Sequence, residues 1–178
     1  MNIEKVVVGV LEENCYVLKN DIDKTCLVVD PGDEFMKIKK VVGDYRVLGV
    51  LITHSHFDHI GALRNFLTKR SIKIFKRSNL LEKEYSIGDF KFNVIYTPGH
   101  SKDSVSFLFN DSNDMFVGDF IFEGDVGRCD LPGGSYDELI DSLKKLKAYS
   151  TDIKLHPGHG NSTTIGNECK NNFHMINI

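Results

Sequence analysis

The chain has no CxxC pair: its four cysteines, Cys15, Cys26, Cys129 and Cys169, are scattered, which argues against both a structural zinc site and a compact disulfide scaffold. It has no long basic run and a formal net charge of -3, so neither a nucleic-acid backbone nor an acidic membrane is favoured as a partner, and a small-molecule substrate is expected. Residues 1–5 lead straight into a strand-like pattern, without the long apolar stretch of a signal peptide or a membrane span, so a cytoplasmic location is expected. No repeat, low-complexity tract or Pro/Ser-rich linker interrupts the sequence, which predicts one domain over residues 1–178. None of this bears on the oligomeric state.

What is present is an ordinary globular composition, 41% hydrophobic and 26% charged, enough for a sizeable core. Short β-branched runs at Val6–Val8, Tyr16–Leu18 and Leu27–Val29 read as an antiparallel set of strands, the last stopped by the turn signal Asp30-Pro31-Gly32. A helix near 34–42, the apolar strand Val47–Ile52 and a helix from about Ile60 to Lys69 follow, then strands around 72–75, 90–97, 104–109 and 114–118. Over 135–147, Ser135 and Glu138 are spaced as a capping box, and Tyr136, Leu139, Ile140, Leu143 and Leu146 fall on one helical face. Cys15 and Cys26 lie inside apolar runs and read as core. Sheets inside with helices outside suit this order of elements.

The chemistry concentrates in Thr53-His54-Ser55-His56-Phe57-Asp58-His59, between an apolar strand and a helix. In an extended segment His54 and His56 point to one side, and Asp58 and His59 swing round as the chain turns into the helix. Imidazoles so close to a buried strand need partners, and a cation supplies them. Three further segments put a ligand beside glycine at the mouth of an apolar strand: Thr97-Pro98-Gly99-His100, Gly118-Asp119 and Pro157-Gly158-His159-Gly160. Singly these read as turns or structural histidines. Together with the first segment they read as one metal site of His54, His56, Asp58, His59, His100, Asp119 and His159.

That order, HxHxDH followed by a distant His, an Asp and a His, resembles the ligand order of the metallo-β-lactamase superfamily over nearly the whole chain. Asn14-Cys15-Tyr16, Asp30-Pro31-Gly32, Thr97-Pro98-Gly99-His100-Ser101, Gly127-Arg128-Cys129-Asp130 with Leu131-Pro132-Gly133-Gly134, and Pro157-Gly158-His159-Gly160 are similar to its glyoxalase II branch of hydroxyacylglutathione hydrolases, in a short form. The resemblance implies an α/β (α+β) fold, a four-layer αββα sandwich, with one metal on His54, His56 and His100, a second on Asp58, His59 and His159, and Asp119 bridging them. It further implies two divalent ions, zinc in first place with iron or manganese as substitutes. Two such ions, two carboxylates and a bridging hydroxide leave a net positive site suited to an anionic transition state. The hydroxide would be the nucleophile on an S-acyl thioester, with Asp58 orienting it.

Arg128 and Lys170 are candidate anchors for a substrate carboxylate, although Arg128 with Asp130 makes an equally good structural ion pair. Cys129, His156 and His174 are left outside the chemistry. After His159 the sequence lacks the C-terminal helical extension with which full-length glyoxalase II grips glutathione, and the tail Glu168-Cys169-Lys170-Asn171-Asn172-Phe173 is similar to the ending of short bacterial relatives. A more open cleft is therefore expected. Two other activities fit the same ligands: a persulfide dioxygenase with a single iron, and a lactone or β-lactam hydrolase.

Overall fold

The structure is a computed structural model and describes residues 1–67 and 72–178. Strands β1 (Asn2–Val8), β2 (Glu13–Asn20) and β3 (Thr25–Val29) lead to helix α1 (Phe35–Val42), strand β4 (Arg46–Leu51), the short helices α2 (Phe57–Ile60) and α3 (Leu63–Phe66), and β5 (Lys73–Phe75). Strands β6 (Glu84–Ile87), β7 (Phe90–Tyr96), β8 (Val105–Phe109) and β9 (Asp114–Gly118) follow, with a small hairpin of β10 (Ile121–Phe122) and β11 (Asp125–Val126). Helix α4 (Tyr136–Leu146), β12 (Lys154–Pro157), β13 (Thr163–Thr164), α5 (Ile165–Asn171) and α6 (Phe173–Ile176) complete the chain.

The strands form a five-stranded sheet, β1-β2-β3-β4-β5, and a six-stranded sheet, β13-β12-β9-β8-β7-β6. Period-two alternation builds two cores from one strand. On β2, Tyr16 and Leu18 face the second sheet, where they meet Phe107 and Phe116. Its Cys15 and Val17 point the other way, onto Ile38 of α1 and Phe66 of α3. The second sheet behaves alike: Phe116 of β9 points inward, and Met115 and Val117 pack on Leu139 and Leu143 of α4 and Met175 of α6. Helices therefore cover both outer faces, giving the expected αββα sandwich. Each fully buried Phe, Leu or Val contributes about 1.5–3 kcal/mol, and β2 and β9 bury side chains on both faces.

In β4 the alternation breaks: the register with β3 shifts at Cys26/Leu27, Leu48 and Leu51 face the inner core, and Val50 and Ile52 face the helices. Gly49 sits at the break, where a Cβ would lie 3.0 Å from the Phe75 ring. The bulge resets the phase with which β4 delivers the residues after Ile52.

Several sequence expectations need correction. The helix expected over Ile60 to Lys69 is two short ones separated at Gly61 and Ala62, because Gly61 packs on Gly32, whose carbonyl oxygen would lie 2.2 Å from a Cβ there; Lys69 lies outside the described residues. The Ser135 hydroxyl does accept the Glu138 N–H at 3.3 Å, but the Ser135 N–H donates to the Gly99 carbonyl at 2.8 Å, so the box is half made. Tyr136 is exposed, and Ser142 takes a buried place on α4. Strand β6 and helices α5 and α6 add to the expected elements. The antiparallel β1-β2-β3 set is as read from the sequence. Among the described residues, no helix is long and apolar enough to cross a membrane.

Candidate metal centre

All seven expected ligands meet at one end of the sandwich. His54, His56, Asp58 and His59 come from the segment joining β4 to α2, His100 from the turn after β7, Asp119 from the end of β9 and His159 from the loop after β12. The Nε2 atoms of His54 and His100 lie 3.1 and 2.9 Å from Nδ1 of His56, and these three rings form one compact ligand group. Asp58, His59 and His159 form another, with Oδ2 of Asp58 at 3.8 Å from His59 Nε2 and 3.3 Å from His159 Nε2. Asp119 faces both. Its Oδ1 is 3.3 Å from His59 Nε2, and its Oδ2 is 3.7 Å from His100 Nε2 and 3.6 Å from His159 Nε2.

Four of the five rings turn Nε2 inward because a second atom holds Nδ1. His54 Nδ1 is 3.1 Å from the Thr53 hydroxyl, His59 Nδ1 is 3.0 Å from an Asp30 oxygen, and His100 and His159 lie 2.7 and 3.0 Å from the carbonyls of Arg128 and Leu11. Such partners fix the tautomer and aim of a ligating imidazole. Glycine keeps the floor open: at Gly158 a Cβ would lie 2.3 Å from Asp119 Oδ1 and 2.5 Å from the His59 ring. At Gly118, φ is 54° and a Cβ would lie 2.2 Å from the Thr53 hydroxyl, a conformation and a gap that only glycine satisfies.

The electrostatics ask for positive charge. Burial first, and then the neighbouring imidazoles, hold His54 well below the ordinary histidine range. Burial acts on His59 in the same direction, but the Asp119 and Asp30 carboxylates facing its two nitrogens outweigh it and hold the ring well above that range. Asp119 and Asp58 stay below the carboxylate range despite burial, through His59 and His159 respectively. His59 Nε2 and Asp119 Oδ1 are buried with no hydrogen-bond partner. Unpaired buried donors and acceptors are costly, and a cation between them would satisfy both. The donor set, neutral imidazoles with carboxylates, suits Zn, Fe or Mn.

The two substrate candidates are both exposed. Arg128 forms an exposed two-pronged pair with Asp130, 2.7 Å on each arm, and serves the site through its carbonyl. Lys170 is exposed in the last turn of α5. The Cys129 thiol is held above the ordinary range by burial and then by Asp130, unlike a reactive thiolate. His156 is buried between Asp114 at 2.7 Å and Ser162 at 3.2 Å, and His174 pairs with Asp125; both are structural.

Two acids were missed by sequence reading. Asp30 accepts the Thr53 N–H at 2.8 Å and hydroxyl at 2.5 Å as well as facing His59. Its only sequence signal was the Asp-Pro-Gly turn. Glu13 is buried beside His59, 3.9 Å from Nδ1, and both of its carboxyl oxygens lack a hydrogen-bond partner.

Comparison with known proteins bears on this geometry. A family model described as the metallo-beta-lactamase superfamily matches residues 8–84 and 79–159. The hydroxyacylglutathione hydrolase GloC of Haemophilus influenzae is 29% identical, the alignment covering 97% of this chain and 97% of that one. Among solved structures, the BLEG-1 B3 metallo-beta-lactamase superposes with a TM-score of 0.91 at 31% identity over 98% of this chain and 99% of its own. TTHA1623, solved in a di-iron-bound form, gives 0.83 at 30% identity over 96% and 98%.

Proposed function

The chain belongs to the metallo-β-lactamase superfamily and is a metal-dependent hydrolase, and from that premise we propose that it cleaves S-acyl thioesters of the hydroxyacylglutathione kind with two divalent cations. The observation that carries the reading is the pair of three-ligand groups joined by a carboxylate whose two oxygens face both. His54, His56 and His100 would hold one cation, Asp58, His59 and His159 the other, and Asp119 would serve both. Bound there, the cations supply a water acidic enough to react near neutral pH and a Lewis acid for the carbonyl. Structural zinc sites are usually closed by four protein ligands, and three private ligands with one shared leave room for substrate.

The protein's own part is positioning and proton handling. Asp58 sits at the edge of the second group and would orient the attacking water and take its proton. Thr53, Asp30 and two backbone carbonyls keep the imidazoles aimed. No general acid is required for a thiolate, which leaves readily. The likeness to GloC supports a thioester, and the likeness to TTHA1623 supports iron as an alternative to zinc.

The test is elemental analysis of protein purified without chelator, joined to a thiol-release assay on lactoyl-thiol conjugates. Two metals per chain and thiol release that His56→Ala abolishes are expected. No release from any conjugate ends the thioester reading. One iron per chain with oxygen uptake on a persulfide replaces it with an oxygenase.

A further inference from the structure

A cleft of about 490 Å³ opens beside His56, lined by Ser55, Arg77, Lys102, Asp103 and Gly133 among others. Four separate segments build it: the one carrying His54 and His56, the turn after β5, the loop between β7 and β8, and the loop before α4. His56 is therefore both a member of the first ligand group and part of the cleft wall.

The walls are fixed. The Asp103 carboxylate accepts the Ser101 hydroxyl at 2.8 Å and the Ser55 hydroxyl, tying the β7–β8 loop to the ligand segment. The Arg77 guanidinium lies 3.6 Å above the Tyr96 ring, which orients it without neutralising it. Among the described residues neither Arg77 nor Lys102 makes an ion pair. The acid whose field Arg77 feels, Glu82, is bonded instead by Lys145 and the Tyr96 N–H. With Asp103 the only carboxylate in the lining, Arg77 and Lys102 leave the cleft one positive charge, which suits a monoanion better than a phosphate dianion.

We propose that this cleft receives a carboxylate at one end of the substrate, with Arg77 and Lys102 as specificity-determining residues in place of the Arg128 and Lys170 suggested by the sequence. The assignment rests on the thioester reading for the reaction and deepens it by naming the residues that read a carboxylate on the thiol half or the acyl half of the substrate. Guanidinium and ammonium donors to a carboxylate are among the stronger hydrogen bonds, and one such contact changes affinity by about tenfold.

The experiment compares metal-loaded wild type with Lys102→Gln, Lys102→Glu and Arg77→Gln on three thioesters: S-acetyl 3-mercaptopropionate, S-glutaryl N-acetylcysteamine and the neutral S-acetyl N-acetylcysteamine. The ratio of neutral to anionic KM is read. About tenfold preference for one anionic ester is expected in wild type, smaller in about 0.5 M salt as screening grows. The preference should fall several-fold in Lys102→Gln and Arg77→Gln and invert in Lys102→Glu. Which anionic ester is preferred tells whether the carboxylate belongs to the thiol or the acyl half. A ratio near one in wild type, or a ratio unmoved by all three substitutions, overturns the proposal even if every ester is cleaved.

Titration with the uncleavable thioether 3-(2-oxopropylthio)propanoate and its neutral 2-hydroxyethyl counterpart separates the two readings. If no thioester is cleaved but the anionic analogue binds more tightly and loses that advantage in Lys102→Glu, the thioester reading fails and the anion site stands. Equal binding of the two analogues, where the glutaryl ester is not preferred either, overturns the site.

Discussion

The two ligand groups are set in opposite surroundings. The one around His59 backs onto the interior: the ring is fully buried and lies between Asp30 and Glu13, two acids with almost no exposure. The one around His56 faces out, and its neighbours are Arg77 and Lys102 at the rim of a cleft. The buried Asp30 carboxylate behind one site and the Arg77 and Lys102 cations before the other give the centre two unlike sides. The inner half is organised to keep a cation, and the outer half to receive an anion.

Asp119 faces both halves, so its removal should erase the difference between them. Asp119→Ala is expected to lower bound metal from two ions per chain toward none and to reduce turnover by about a thousandfold or more, because the substituted site loses charge neutralisation for both cations. Metal analysis after exhaustive dialysis, alongside kcat, checks this. A variant that keeps two metals would mean that Asp119 is not shared.

Asp30→Asn should weaken the inner half more than the outer, because Asp30 faces His59 directly and reaches His54 only through Thr53. The amide keeps the shape but removes one of the acceptors that hold Thr53 and His59. Loss of such an outer partner lowers metal affinity by about 10–100-fold. Competition with a chromophoric chelator is expected to show one ion weakened more than the other. Equal weakening of both would show that the halves are not separable.

This division explains what could be read from sequence. The seven candidate ligands lie at the mouths of apolar strands, four in one dense segment and three beside glycine, so short-range pattern exposes each, and their number in one order exposes the set. The sheets were legible for the same reason, since Tyr16, Leu18, Phe107 and Phe116 follow the strand period. Asp30 carries a turn signal and Glu13 no ligand signal, and it is the pairing of β2, β3 and β4 that brings both to His59. The Arg77 and Lys102 cleft needs four loops to meet, and no local period records that. Helices α5 and α6 are too short for an apolar repeat. Side chains define them instead, with Thr164 and Asn172 as caps and the buried Glu168 bonded to Thr163 and Asn172.

Glu13 offers the finest probe of the inner half, with the smallest expected effect. Burial, and then the charge of Asp30, push its pKa from 4.5 up to about 10, against the opposing pull of His59. At neutral pH the folded chain therefore holds a proton on Glu13 that the unfolded chain has released. A group whose pKa is raised on folding favours the fold most below its unfolded value and loses that contribution as pH rises toward its folded value. Stability from this acid should thus decline between about pH 5 and 9. Glu13→Gln keeps the neutral form at every pH, so its melting temperature should fall distinctly less than that of the wild type across this range. Thermal unfolding of metal-free protein at several pH values makes the comparison. Parallel curves would mean that Glu13 is ionised in the fold, and the inner wall would then carry more negative charge than its burial allows.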